Sequence, residues 1–330
     1  MTERLLTGPS PHLRGDWTTR KIMGWVVLAL LPAILASGYF FGPRVWLLYL
    51  LATVTALVAE SLWFKFTNKT ATHDLSAVVT ALLLTMNLPP SAPWYFPVIG
   101  TFFAIIVVKE FFGGLGYNFL NPALGGRALL VGLFFTEMFK ISWSAPPFDR
   151  IPPEVVTQAT PLELLRNGEL LSGSFLWSSF IGDIGGRIGE TSSLLLLLGG
   201  GLLLWQGIIH IRIPATIFVT VGLGVWLFSG EGLASWQTVL GHLTGGGLIL
   251  GSIYMATDYA SSPATVLGEY LYALGIGLII LLFRFWGATY EGVSYAILTM
   301  NCATPLIDRL IRRRVLGEPG SKTLGVKLDH

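Results

Sequence analysis

A single cysteine, Cys302, stands in 330 residues, which excludes an internal disulfide and any iron–sulfur cluster held by this chain alone. Charge is almost as scarce. Asp, Glu, Lys and Arg make up 12% of the chain against 52% hydrophobic residues, and the mean hydropathy is +0.65. Those proportions exclude a soluble globular protein and indicate an integral membrane protein with room for many spans. A net charge of +2 is too small to argue for a nucleic-acid partner, and none is expected. Five histidines are present, and His73 and His242 fall at loop edges with no metal-ligand spacing, so no metal site is expected. There is no glycine-rich nucleotide-binding fingerprint. The first 21 residues are polar and carry no signal-peptide core, so no cleavage is expected.

What the chain does contain is a series of apolar runs. Spans are expected near 22–41, 45–66, 75–88, 94–112, 119–135, 192–209, 213–228, 245–256, 265–285 and 292–307. The third and eighth are short and end in polar breaks, MNLPP at 86–90 and MATD at 255–258. Each half reads as a hairpin, a short broken span, a full span and a fifth span. Phe112-Gly113 with Tyr117 in the first half answers Trp286-Gly287 with Tyr290 in the second. Five spans per half require the halves to be inverted in the bilayer, and broken segments at matching places point to a central binding site. The expected fold is therefore an all-α polytopic membrane protein of about ten transmembrane helices in two inverted five-helix repeats. Its parts are a lead at 1–21, a first repeat at 22–135, a polar loop at 136–190, a second repeat at 191–308 and a basic tail at 309–330.

Lys and Arg give the orientation. Arg4, Arg14, Arg20, Lys21, Lys65, Lys69, Arg212, Arg309, Arg312, Arg313, Arg314, Lys322 and Lys327 collect on one side. Arg44, Lys140, Arg150, Arg166, Arg187 and Arg284 collect on the other. Both termini are then cytoplasmic and loop 136–190 lies outside, in a multi-pass protein of the cell inner membrane.

Residues 109–130, KEFFGGLGYNFLNPALGGRALL, contain what a lipid-facing helix avoids: Gly113, Gly114, Gly116, Gly125 and Gly126, Asn118 and Asn121, Pro122, and the charges Lys109, Glu110 and Arg127. These groups must face protein or a cavity. Glycines admit a flat ligand or a neighbouring backbone, and the two amides both donate and accept. A binding element and close helix packing through small residues are the two readings, and the residues alone do not choose between them.

In the polar loop, EVVTQATPLELL at 154–165 offers the hydroxyls of Thr157 and Thr160 in a segment that Pro152, Pro153 and Pro161 keep extended. On the residues alone, Thr160 opens a short helix with Pro161 at its first position and Glu163 completing a capping box.

Several long motifs in order, DLSAVVTALLLTMNLPPSAP from Asp74, KEFFGGLGYNFLNPALGGRALL from Lys109, TQATPLELL from Thr157, GRIGETSSLLLLLGGGLLL from Gly186, YMATDYASSP from Tyr254 and EGVSYAILTMN from Glu291, cover nearly the whole chain. They resemble the RnfD/NqrB family, membrane components of the Rnf complex and of the sodium-pumping NADH:quinone reductase, and the short lead is closer to RnfD. The resemblance implies a flavoprotein in which a threonine of the pattern D-x-x-[S/T]-G-A-T carries FMN through a phosphoester made by a flavin transferase. Thr160 is the matching acceptor, with Glu154 where the pattern has Asp and Gln158 where it has Gly. The resemblance further implies a second, noncovalent flavin, riboflavin in the best-known members, near Asn118 and Asn121. Gly113, Gly114, Arg127 and Asp258 are taken as further cofactor-binding candidates.

The implied function is electron transfer within a redox-driven, ion-translocating ferredoxin/NAD complex. Other subunits, among them an FMN-bearing subunit and iron–sulfur subunits, supply the NAD and ferredoxin contacts, and no residue of this chain is catalytic alone. The embedded acids Glu60, Asp74, Glu110, Asp258 and Glu291 serve either as caps and ion-pair partners of Lys109, Arg127 or Arg284, or as a set that compensates a moving cation. A passive channel or solute transporter on the same inverted-repeat fold, and a scaffold for other subunits, are the alternatives.

Overall fold

The structure, a computed structural model, describes residues 17–68, 74–140, 161–169, 171–190, 192–229, 235–287, 289 and 291–311; the side chains at 136, 139 and 140 are outside the description. Thr157, Thr160, His73 and Tyr290 therefore lie outside the described residues. All regular structure among the described residues is helical.

The helices are α1 (Thr19–Phe41), α2 (Pro43–Thr67), α3 (Ser76–Met86), α4 (Tyr95–Phe103), α5 (Pro122–Leu133), α6 (Phe135–Lys140), α7 (Pro161–Arg166), α8 (Gly173–Ile181), α9 (Ser193–Trp205), α10 (Arg212–Phe228), α11 (Trp236–Thr244), α12 (Leu248–Leu250), α13 (Val266–Trp286) and α14 (Val293–Leu310). Two of them continue as π-helix: α4 through Ala104–Glu110 and α12 through Gly251–Met255. Among the described residues, helices α1, α2 and α13 are long and apolar enough to cross a bilayer, and α11 with Leu248–Met255 reaches that length and apolarity only as a pair bent by 62°. Helices α3, α5, α9 and α10 are shorter apolar helices.

Leu35, Leu50, Phe66, Leu223, Leu227 and Leu282 are exposed on the outward faces of α1, α2, α10 and α13. Large apolar side chains displayed that widely are the surface of a protein solvated by lipid. The interior is reserved for α3, of which every residue but Val78 is buried. At 11 residues it rises about 16 Å, roughly half a hydrocarbon core. Helix α3 packs on α1, α2, α4 and α5; α10 packs on α11 and α13, α13 on α14, and α1 on α9 across the middle.

The sequence expectation differs in two places. The fifth span begins at Pro122, not 119, because Asn121 takes the cap position before a proline at N1. Asn118 accordingly sits in irregular chain and Asn121 in the cap. The short eighth segment is present at Leu248–Met255, but it is preceded by a helix that the sequence does not announce, α11, across a bend at Gly245-Gly246-Gly247.

The end of the polar loop is also not peripheral. Ile188 N–H donates to Leu88 O (3.0 Å) and Gly189 N–H to Met86 O (2.9 Å), so residues 186–190 lie beside the C-terminal end of α3.

Candidate functional site

Two polar regions lie inside the apolar body, one at the start of α5 and the other around Arg127 at its middle. The first is a narrow cleft, about half open to its surroundings. Its walls are apolar: Ile22 and Val26 from α1, Val79 and Leu83 from α3, Leu203 from α9, and Ile253 from the second π segment. The polar groups on it include Asn118, Asn121, Asp258, Lys109, Ser76 and Thr257. Residues 118 and 121 of one motif and 258 of another are thus brought together.

Each has a local reason for its position. Asn121 caps α5, its Oδ1 accepting from Ala123 N–H (3.0 Å) and Leu124 N–H (3.3 Å), and its Nδ2 donates to Met255 O (3.2 Å) across the two halves. Asn118 closes the preceding turn, donating to Leu120 O (3.0 Å) and accepting from Gly116 N–H (3.3 Å). Asp258 follows the π segment, where Ser261 Oγ donates to its carboxylate (3.1 Å) and the Asn118 side chain reaches it as well. Gly113 and Gly114 do not line the cleft. With φ of +121° and +92° they turn the chain after the first π segment, a conformation that disfavours a side chain.

Lys109 reaches the cleft from a buried ion cluster. Its Nζ donates to Glu60 Oε1 (2.6 Å) and Ser76 Oγ (2.7 Å) and lies 3.4 Å from Glu110 Oε1. Asp74 accepts from Ser76 N–H (2.9 Å) and Oγ (2.5 Å) at the start of α3. Glu60, Glu110 and Asp74 are therefore engaged as pair partners or at a helix start.

The second region is a smaller cavity around Arg127, lined also by Asn87, Arg187, Glu190, Gly246, Gly247, Glu291 and Ser294. Arg127 donates to Asn87 Oδ1 (3.3 Å) and Ser294 Oγ, and its Nη2 is 3.9 Å from Glu291. Arg187 pairs with Glu291 and lies 3.8 Å from Glu190. Arg284 donates to His242 O (2.7 Å) and Gly245 O (3.2 Å), covering the last carbonyls of α11 at the bend. Glu190 belongs to the segment between α8 and α9. Burial pushes its carboxyl up to about 7, against the pull of Arg127 and Arg284.

Sequence reasoning misses Arg187 and Glu190 as site residues. They sit in GGRIGE, and the only sign of their importance is a pair of charges among glycines directly before an apolar run. Pro161, next to Thr160, lines an adjoining cavity that shares Glu190, Gly246 and Glu291 with the Arg127 cavity.

A sequence model of the family described as "NQR2, RnfD, RnfE family" matches residues 6–317. The chain belongs to that family. It is 43% identical over 319 residues to the subunit designated D in the Na(+)-translocating ferredoxin:NAD(+) oxidoreductase complex of Acetobacterium woodii, covering 95% of each chain. It is 40% identical over 310 residues to its counterpart in the proton-translocating ferredoxin:NAD(+) oxidoreductase complex of Clostridium ljungdahlii, covering 91% of this chain and 92% of that one. Against the same-lettered subunit in the ion-translocating oxidoreductase complex of Salmonella newport it is 35% identical over 347 residues, covering 93% and 97%. As a member of the NQR2, RnfD, RnfE family it is a helical membrane protein, and its two polar regions occupy positions within the matched residues.

Proposed function

We propose that this chain is the membrane electron-transfer subunit of a redox-driven, ion-translocating complex of the Rnf type, acting between ferredoxin and NAD. Two flavins serve it: an FMN esterified to Thr160 and a second, noncovalent flavin, riboflavin in chemistry, in the cleft of Asn118, Asn121 and Asp258. The observation that carries this reading is the convergence of those three residues, from two halves of the chain, on one apolar-walled cleft. An apolar slot with a few amide and carboxylate groups at its edge fits a flat, polar-edged ring.

A flavin bound there would supply reversible electron uptake. The chain's own part would be to hold it and exclude water, with Val79, Leu83 and Ile253 as apolar walls and Asn118, Asn121 and Asp258 as the polar groups at the edge of the cleft. On the other side, Pro161, which follows Thr160 in the sequence, lines a small cavity that shares Glu190, Gly246 and Glu291 with the Arg127 cavity. From Asn121 to Arg127 the helix rises about 9 Å, six residues at 1.5 Å each, so α5 spans the distance between the two regions.

The reading includes ten spans in two inverted repeats. The packing supports it: α2 lies on α3 and α4 as α10 lies on α11 and α13, and α4 on α5 as α13 on α14. Both termini are taken as cytoplasmic and loop 136–190 as outside. Arg187 and Arg284, counted on the outer side, are buried in ion pairs or helix-end contacts, and removing them from the count sharpens the inward excess of positive charge. The partners are the other subunits, including FMN-bearing and iron–sulfur subunits, together with a flavin transferase and the bilayer.

The test is the intact mass of the subunit co-expressed with its transferase. The expected result is an added FMN phosphodiester, a fluorescent band on a denaturing gel, and loss of both in Thr160→Val. A further flavin should be released by acid. A bare polypeptide mass would end the electron-relay reading and favour a passive transporter on the same fold.

A further inference from the structure

Between α8, α9, α10 and α11, apart from both polar regions, lies an apolar groove of about 600 Å³. Two of its walls are helical stripes. On α8, Gly173, Leu176, Trp177 and Phe180 follow one another at the spacing of a single helix face, and Trp236, Leu240 and Leu243 do the same on α11. Leu197 of α9 and Phe218 of α10 line it as well.

The lining decides what can fill it. Apart from the indole N–H groups of Trp177 and Trp236, the polar side-chain group on it is the Thr244 hydroxyl, which already donates to Leu240 O (2.9 Å). An ordered water needs two to four polar partners, which these walls do not offer. A void would forfeit dispersion contacts along every wall. Hydrocarbon is the remaining filler, and the groove is continuous with the lipid-solvated surface, since Leu197 and Leu240 are both exposed.

Two features narrow the occupant to a lipid chain. Helices α8 and α11 have nine residues each, so the stripes run about 13 Å at 1.5 Å per residue. That is close to one leaflet, half of a hydrocarbon core of about 30 Å, and it is too short a wall to grip a partner's spanning helix along its length. Trp236 opens the bent span and, like Trp177, is exposed. Tryptophan at a span end settles at headgroup level, where an indole N–H can donate to an ester carbonyl.

We propose that the groove holds one acyl chain of a membrane phospholipid, with Trp177 and Trp236 at its ester end. Bulk lipid tails are as apolar as the groove, so the preference for this place comes from packing contacts on several sides and not from hydrophobic transfer. The bound chain fastens α8 to α11.

The test is photolabelling of the purified complex, reconstituted with a phosphatidylethanolamine that carries a diazirine in mid-chain and then exchanged into lipid-free detergent before illumination. On peptide mapping, α8 and α11 should keep about tenfold more label than α2, whose Leu47, Leu50 and Val54 are exposed to bulk lipid. Gly173→Phe puts a ring into the groove from a position where a Cβ meets nothing within 4 Å, and it should abolish the retained label. Leu240→Trp fills the groove from α11 and serves should the first variant fail to assemble. Retained label that is equal on α2 and on α8 and α11, or unchanged in an assembled filled variant, would overturn the proposal. Crosslinking of a photoreactive residue at position 240 to another subunit, in place of lipid, would also overturn it and give the groove to a partner's helix.

Discussion

Gly126 and Gly132 lie six positions apart on α5, and their surroundings make opposite demands. A Cβ on Gly126 would come within 2.5 Å of Gly100 O and of a Leu84 methyl, and within 3.0 Å of Ala104. At Gly132 nothing lies within 4 Å. Gly126→Ala should therefore separate α5 from α3 and α4 at a cost of about 1–3 kcal/mol. Gly132→Ala should cost nothing, since alanine is the better helix former. Thermal unfolding in detergent checks both, and equal midpoints would show that α5 is not clamped as described. The contrast also marks where the sequence stops being informative. Gly113, Gly114, Gly125 and Gly126 look alike in the sequence, yet the first two serve a left-handed turn, and a Cβ on either of the others would collide with α3, α4 or the first π segment. Asn121 is more legible than Asn118, because Asn directly before Pro is a helix-start signature in its own right.

At the scale of elements, the first π segment has the strongest consequence. Val108, Lys109 and Glu110 are buried in succession at its end, against the rest of the bundle. Lys109 then ties Glu60 of α2 and Ser76 of α3 to α4. Lys109→Met would strand Glu60 and Glu110 without their cation, and removing one partner of a buried pair costs about 3–5 kcal/mol. Lys109→Met with Glu60→Gln should recover a good part of that loss, because one stranded charge goes with it. A double variant no more stable than the single one would mean that the Glu60 contact is incidental. The long apolar helices are readable from composition to within a few residues, and the helix at Pro161–Arg166 from its Pro-x-Glu start. Helix α11 is not, since Gln237, Thr238, His242 and Thr244 interrupt its apolar pattern, and the 62° bend joining it to the next segment is made by three glycines that read as a boundary.

At the scale of the molecule, the separation of the two polar regions depends on which side of the membrane each faces. The cleft is lined by Ile22 and Ser76 near the starts of α1 and α3, and the Arg127 cavity, beside Asn87 at the other end of α3, adjoins the cavity at Pro161. Nothing in a one-dimensional pattern announces that residues 186–190 fold back from a polar loop to complete that second region; the contact with Leu88 and Met86 is tertiary. The proposed arrangement needs loop 136–190 outside and the basic tail inside, because a transferase outside the cytoplasm must reach Thr160, and the charge asymmetry predicts that orientation. In a Cys302→Ser chain, Ala145→Cys should react with a membrane-impermeant maleimide in intact cells, and Ser321→Cys should react only in inverted vesicles. Cys302 is the chain's one native thiol, so the background is clean. The opposite labelling would put Thr160 on the cytoplasmic face and reverse the order of the two regions across the membrane. The Arg127 cavity would then lie towards the cytoplasm, and a transferase outside could no longer reach Thr160.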